Sequence, residues 1–299
     1  MNRLLNYFKR KFISHNLFYW HGEKNAGDDF NIDILEYYGI KFKESTLNNA
    51  TLIGIGSILE NIIVPKDNRF LNKYNDPPIN IMGSGFIQKR HGEEMTIRKA
   101  HVIAVRGTLS LDRLKQIDGI SLEKNYVLAD PGIMASHIYK KISNGEDIVG
   151  IVPHYIDKGS EFLKNIKIKL NYKFINIQDS PKKVCYEISK CSFIFSSSLH
   201  GLIFADSYNI PNFHILLSDN VIGGDYKFRD YYSGLDLEYP GHIDLRNTVL
   251  DNSIIKKLKD NYQVKPEIVA SSSIYFNIYG NFKAVFLVVG KHFQKLLPD

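Results

Sequence analysis

Several things this sequence has little of narrow its class before any motif is read. Its 299 residues hold only two cysteines, Cys185 and Cys191, with no CxxC spacing and no second pair. A disulfide framework is therefore excluded, the pattern fits a reducing compartment, and both cysteines read as small buried apolar side chains. Apolar runs are short. Ala284 to Gly290 (AVFLVVG) is about a third of the ~20 residues a spanning helix needs, so it reads as a buried element or a peripheral anchor. The N-terminal MNRLLNYFKRKF mixes basic and apolar residues at helical spacing without the apolar core of a signal peptide. A cytoplasmic location is the expectation, and the segment suits either a helix packed on the body or one lying on anionic lipid at the inner membrane face. Low-complexity tracts, short repeats and a full GxGxxG are all missing. The formal charge of +6 comes from lysines and arginines scattered along the whole length. No nucleic-acid tract is implied, and small anions or an anionic membrane surface suit the charge equally well.

What is present is a soluble globular balance, 44% hydrophobic and 23% charged, in a chain long enough for two domains of ~150 residues. Short apolar runs closing on glycine or a polar turn residue read as parallel strands covered on both faces: Thr51 to Gly56, Ile79 to Gly85 and His101 to Arg106. Helical spacing occupies Gly27 to Tyr38 and Thr108 to Ile117. After Asp130-Pro131-Gly132, a turn signal, the alternation restarts. It gives strands at 147–152, 172–177 and 193–196, and helices around 160–168, 181–190 and from about His200. The fold class expected is α/β, as two doubly wound units, residues 1–140 and 141–299, the second ending in a helical tail.

Ligands of such sheets lie beyond the carboxyl ends of the strands and in clefts between domains, which singles out the residues just after each strand. In FSSSLHG, Phe195 to Gly201, a buried strand runs into Ser197, Ser198, Leu199 and His200 at the start of a helix, whose unpaired N–H groups receive a phosphate or carboxylate. His200 can donate to that anion or move a proton. Equally, Ser197 or Ser198 is an N-cap and His200 a packing residue. NAGDDFN supplies Asn25, Gly27 for close backbone approach, and Asp28 or Asp29 to orient or deprotonate a hydroxyl, with N-capping by aspartate as the alternative. Arg106 ends a buried run where a carboxylate or phosphate clamp is useful. Ser57, Gly83 and Ser84 follow two strands, and His154 and Tyr155 follow the first strand of the second half. The ligand spacing of a metal site is not met. GGDYKFRDYY reads as a flexible turn carrying Lys227, Arg229 and four aromatics, suited to holding a phosphate and stacking a sugar, or as a solvated loop.

Taken in order, NAGDDFN, GIGSIL, GSGF, AVRGTLSLDRL, LADPGIM, IVPHYID, SSSLHGLIFADSYNIP and GGDYKFRDYY resemble the successive blocks of the polysaccharide pyruvyl transferase family, from about residue 20 to 235. The resemblance implies two Rossmann-like domains in a GT-B-like arrangement with an interdomain cleft, the first facing the acceptor and the second the donor. It implies transfer of the enolpyruvyl unit of phosphoenolpyruvate to a sugar of a surface polysaccharide or its lipid-linked precursor, as a ketal, with release of phosphate and no cofactor. Arg106 matches an arginine that contacts phosphoenolpyruvate. His200 matches the histidine of an Arg-Leu-His-Gly block at a donor-binding or catalytic position. Ser198 stands where many members carry the arginine of that block, so some anion-binding charge must come from elsewhere, with Lys227 and Arg229 as candidates. The roles expected are His200 as acid or phosphate ligand, Arg106 as clamp and Asp28 at the acceptor hydroxyl. Two other readings share the pattern: a GT-B glycosyltransferase using a nucleotide sugar, and a non-catalytic two-lobed sugar-binding protein, a class that is usually exported.

Overall fold

The computed structural model describes residues 14–66, 78–90, 92–141 and 147–262, with four short strands beyond them at 268–269, 274–276, 282–284 and 287–288. The basic N-terminal segment and most of 284–290 lie outside the described residues.

Two mainly parallel sheets follow one another along the chain. The first contains β1 (His15–Phe18), β2 (Phe42–Glu44), β3 (Leu52–Ile53), β4 (Ile63–Pro65), β5 (Ile79–Ser84), β6 (Glu94–Val105) and β7 (Asp118–Leu128). It is ordered β2-β1-β3-β5-β6, with β6 also pairing β7 in parallel and β4 antiparallel. The second contains β8 (Ile148–Val152), β9 (Asn171–Phe174), β10 (Phe193–Ser196), β11 (Asn212–Leu216) and β12 (His242–Asp244), ordered β9-β8-β10-β11-β12 and parallel throughout. Numbering only its parallel strands, the first sheet runs 2-1-3-4-5-6 and the second 2-1-3-4-5, the flavodoxin-like doubly wound order, whose switch point falls between its first and third strands. In the first sheet that point lies between β1 and β3, and in the second between β8 and β10.

Helices α1 (Ala26–Tyr37), α2 (Thr108–Leu114), α3 (Ala135–Ile138), α4 (Pro181–Ser189), α5 (Leu199–Ser207), α6 (Tyr226–Gly234) and α7 (Asn252–Asp260) complete the described body. Helix α5 is buried from Leu199 through Asp206, as a helix apolar on all sides must be. It packs on β10, α4 and the turn Pro131–Met134, and its apolar residues belong to one cluster that also takes in Leu17, Phe30 and Met82 from the first sheet's side. Each sheet also has a cluster of its own.

The sequence pattern needs correcting at several places. Of the run Thr51 to Gly56 only Leu52–Ile53 is strand, because the Asn31 side chain of α1 takes over the ladder. Its Oδ1 accepts from Ile55 N–H at 2.7 Å and its Nδ2 donates to Ile55 O at 2.9 Å. Around 160–168 the chain forms a 3-10 turn, Glu161–Asn165, in place of an α-helix. Beyond Tyr262 the described residues are short strands paired antiparallel, Ile268–Val269 with Leu287–Val288 and Ile274–Phe276 with Phe282–Ala284, and the rest of the expected helical tail lies outside the described residues.

The two halves are also tied by charge. Arg106, which follows β6 and is 1% exposed, donates from Nε to Asp230 Oδ2 of α6 at 2.9 Å. Ser110 adds two donors to the same carboxylate, its N–H at 2.8 Å and its Oγ at 2.6 Å. Removing one partner of a buried, hydrogen-bonded pair strands the other charge without water. Asp230→Ala is therefore expected to cost about 3–5 kcal/mol, read as a lower urea midpoint. An unchanged midpoint would show that the tie carries no stability.

Candidate active site

The switch points of both sheets open on one cavity of about 260 Å³. From the first half it is lined by Trp20, Asn25 and Asp28 after β1, by Ser57, Ile58, Glu60 and Asn61 after β3, and by Ile87. From the second half come His154 and Tyr155 after β8, Ser198, Leu199 and His200 after β10, and Ile222 and Lys227. The loop carrying Ile222 is brought against the wall at Gly223, where φ is +83° and a Cβ would lie 1.9 Å from Ile87 O. That combination of left-handed backbone and close approach admits only glycine.

At the head of α1, Ala26 and Gly27 are both in the first helical turn, and Asn25 rather than an aspartate is the N-cap, its Oδ1 accepting from Gly27 N–H at 2.9 Å. The glycine is needed for another reason: a Cβ at Gly27 would stand 1.8 Å from His200 Nδ1. The imidazole lies directly on the backbone of α1, so the two halves meet at His200. The opposite ring nitrogen, Nε2, faces Asp130 Oδ2 at 3.9 Å, and both atoms are buried with no hydrogen-bond partner among the described residues. Asp130 was legible only as a turn residue. It does cap the turn Pro131–Met134 through Oδ1, which accepts from Gly132 N–H at 2.9 Å, but its second oxygen is left for His200.

Helix α5 begins at this point. Ser198 is its N-cap residue but makes no side-chain cap. Ser197 is turned away: its Oγ accepts from His154 N–H at 2.8 Å and donates to buried Asp157 at 2.7 Å. Neither the Ser197 nor the Ser198 hydroxyl caps the first turn, whose Leu199 and His200 line the cavity at the positive end of the helix dipole.

Lys227 supplies the mobile charge. It is 7% exposed, on the cavity wall, and makes no ion pair within 4 Å among the described residues. Arg229, from the same block, is on the exposed side of α6, donating to Asp225 at 2.8 Å, and does not line the cavity. The GGDYKFRDYY block is thus mostly helix where a loop was read. Arg106 is behind the wall, its guanidinium engaged by Asp230, by Ser57 Oγ at 2.6 Å and by Phe86 O. Gly83 and Ser84 are also structural. A Cβ at Gly83 would meet Pro131, and Ser84 Oγ donates to Gly56 O at 3.0 Å. Glu60, a cavity carboxylate that sequence reasoning passed over, accepts from Ile87 and Gln88 N–H and from Arg113, and so organises the loop.

Burial and neighbouring charge set the protonation states. Asp28 is pushed up to about 8, by desolvation first and then by Asp29, with Lys227 opposing. Lys227 is brought down to about 8 by desolvation and Arg106. His200 is lowered to about 3 by desolvation, then Arg106, Lys227 and His154, and His154 is likewise lowered to about 3. Near pH 7 the cavity therefore holds a protonated Asp28, a cationic Lys227 and neutral imidazoles, while its other carboxylate, Glu60, is paired with Arg113. Among the described residues no cluster of His, Cys, Asp and Glu suits a metal.

The family model for polysaccharide pyruvyl transferase matches residues 1–219. The chain belongs to the polysaccharide pyruvyl transferase family. It is 23% identical over 232 residues to the succinoglycan biosynthesis protein ExoV of Rhizobium meliloti, covering 74% of this chain and 65% of that protein. It is 32% identical over 164 residues to an uncharacterised protein of Acanthamoeba polyphaga mimivirus, covering 53% and 55%. The chain thus spans less than two thirds of the length of each of these relatives.

Alanine for glycine within a helix ordinarily adds roughly 0.5–1 kcal/mol of stability. At Gly27 the sign reverses, because the methyl group meets His200. Gly27→Ala is expected to lower the thermal midpoint and to weaken binding of inorganic phosphate at least tenfold by calorimetry. Gly159→Ala, where a Cβ has nothing within 4 Å, serves as the control and leaves both unchanged.

Proposed function

We propose that this pyruvyl transferase family member transfers the enolpyruvyl unit of phosphoenolpyruvate to two hydroxyls of a sugar in a bacterial polysaccharide or its lipid-linked precursor, giving a pyruvate ketal and free phosphate. The observation that carries this reading is the buried Lys227 beside the uncapped N-terminus of α5, in a cavity whose one unengaged carboxyl, Asp28, keeps its proton near neutrality. A trianionic donor supplies the counter-charge for Lys227, and a carboxylic acid held in its protonated form is what an enol needs to become an electrophile.

The titration directions favour exchanging the roles expected from sequence. Asp28 delivers its proton to C3 of the enol, which makes C2 electrophilic. The first sugar hydroxyl attacks C2 and gives its proton to neutral His200. The C2–O bond to phosphate then breaks, the electron pair leaving with the phosphate. That phosphate is received by Lys227 and the α5 amides and takes the proton from His200. The second hydroxyl closes the ring and returns a proton to Asp28. Both groups finish as they began, with C3 a methyl group and one proton on phosphate. Arg106 acts from behind the wall, holding Ser57 and raising the local potential. Tyr155 and the half-exposed Trp20 at the rim offer faces for a sugar ring. In this reading the two sheets are the two Rossmann-like lobes of a GT-B-like arrangement.

A ligand that binds only the folded state raises the thermal midpoint by mass action. Phosphoenolpyruvate is expected to raise it and uridine diphosphate to leave it unchanged. The reverse result would move the assignment to a glycosyltransferase that uses a nucleotide sugar. Lys227→Met is expected to abolish the phosphoenolpyruvate shift. In wild type kcat/KM is expected to fall as pH rises through about 8, where Asp28 and Lys227 both lose the protonated forms the reaction uses. A rate that holds level to pH 10 would remove both from these roles.

A further inference from the structure

Against the cavity residue His200 lies an incomplete pair whose carboxyl partner the reaction above does not use. Asp130 Oδ2 and His200 Nε2 are both buried, both without a hydrogen bond among the described residues, and 3.9 Å apart. Buried polar atoms are paired in all but a few cases, so two that face each other across less than 4 Å point to a bond made in another state of the site. Catalytic hydrogen bonds are often long in the empty site and tighten with ligand bound. We propose that Asp130 is a positioning residue for His200: when a phosphate occupies the cavity, Nε2–H closes onto Asp130 Oδ2, which fixes the tautomer and leaves Nδ1, the nitrogen packed on Gly27, as the unprotonated ring nitrogen.

The surroundings support this direction of closure. The groups facing the imidazole are Asp130 before the turn Pro131–Met134, Asp28 on α1, Arg106 after β6, Lys227 on α6 and His154 after β8. Burial, Arg106, Lys227 and His154 all disfavour a cationic imidazole and together outweigh the Asp130 carboxylate 3.9 Å away. An incoming phosphate offsets that positive field. His200 can then carry a proton between substrate and phosphate, and a carboxylate behind it stabilises the transient imidazolium. A base oriented by a third group is the general arrangement for activating a hydroxyl. Asp130 is raised to about 6, chiefly by desolvation, so it is ionised at neutral pH and lost to this role as pH falls through about 6. Its other oxygen caps Gly132, a role that asparagine can keep.

This inference rests on the transferase reading for its consequence in turnover, and on the geometry alone for the hydrogen bond, so the two are measured separately. Nitrogen-15 spectra of histidine-labelled full chain, with the His200 signal assigned by its loss in His200→Gln, are expected to show the Nε2–H tautomer on saturation with inorganic phosphate. In Asp130→Asn the amide donates to Nε2 and the Nδ1–H tautomer is expected instead. In turnover with phosphoenolpyruvate, Asp130→Asn is expected to lower kcat at least 100-fold with KM within threefold. The acid limb of kcat/KM near pH 6 should move to lower pH. A His200 signal unmoved by phosphate, an Nδ1–H tautomer in wild type, or an Asn variant with wild-type kcat and acid limb would overturn the proposal. If no sugar acceptor is turned over at all, the transferase reading fails, and the tautomer experiment still decides the hydrogen bond.

Discussion

The rest of the site depends on the burial of helix α5. Its residues from Leu199 to Asp206 are all inside, packed between the two sheets, so its first turn cannot be hydrated as a surface helix would be. Ser198 at the N-cap position offers no side-chain bond, and Ser197 is committed to His154 and Asp157. Ser198 N–H is taken by Ser196 Oγ and Gly201 N–H by Ser198 O, so what this end offers a ligand is its remaining amides and the positive end of the dipole. The doubly wound order of both sheets, with the switch point between the first and third strands, then brings their switch points to this helix end. Asn25, Asp28 and Ser57 are delivered from one sheet, and His154 and His200 from the other.

The electrostatics of the cavity follow from what has been excluded from it. The buried arginine is balanced by Asp230 and the wall glutamate by Arg113 and backbone amides, so the groups left to face the cavity are Lys227, Asp28 and the histidines. Each orphaned polar atom of the His200–Asp130 pair costs about 1–3 kcal/mol, a sizeable share of a net stability of about 5–15 kcal/mol. Such strain is held only because the frame around it is over-determined. The ion pair from Arg106 to Asp230, the Asn31 side chain paired with the Ile55 backbone, and Gly223 against Ile87 fix the three walls independently.

The parts legible in the sequence were those with a local cause. Phe193 to Ser196 reads as a strand because four apolar and small residues lie between turn signals, and α4 because Ser180-Pro181 starts it. The post-strand rule selected His154, His200 and Ser57, which line the cavity, since strand ends are visible as the close of an apolar run. Contacts across the halves have no local signal. Arg106 meets a carboxylate 124 positions away, and nothing in HVIAVRG announces it. Within YKFR the buried lysine and the exposed arginine cannot be told apart until α6 is docked. Asp130 was hidden for another reason: Asp-Pro-Gly is so strong a turn signal that one oxygen's capping duty accounts for the residue, and the second oxygen passes unnoticed.

Ser198, where many family members carry arginine, acquires a physical meaning from this geometry. It is 1% exposed, at the tip of a buried helix, and its N–H donates to Ser196 Oγ at 3.0 Å, so its backbone is fixed by its own strand end. A long side chain leaving that position would have to share the space over the α5 N-terminus with the ligand. Lys227 brings its charge from α6 and leaves the helix end open. An ammonium is a point charge without the planar fork of a guanidinium, so it attracts an anion without orienting it. Orientation must then come from directional groups, the α5 amides and His200. That makes the fixed posture of the imidazole more important here than in a site where an arginine holds the anion at two points.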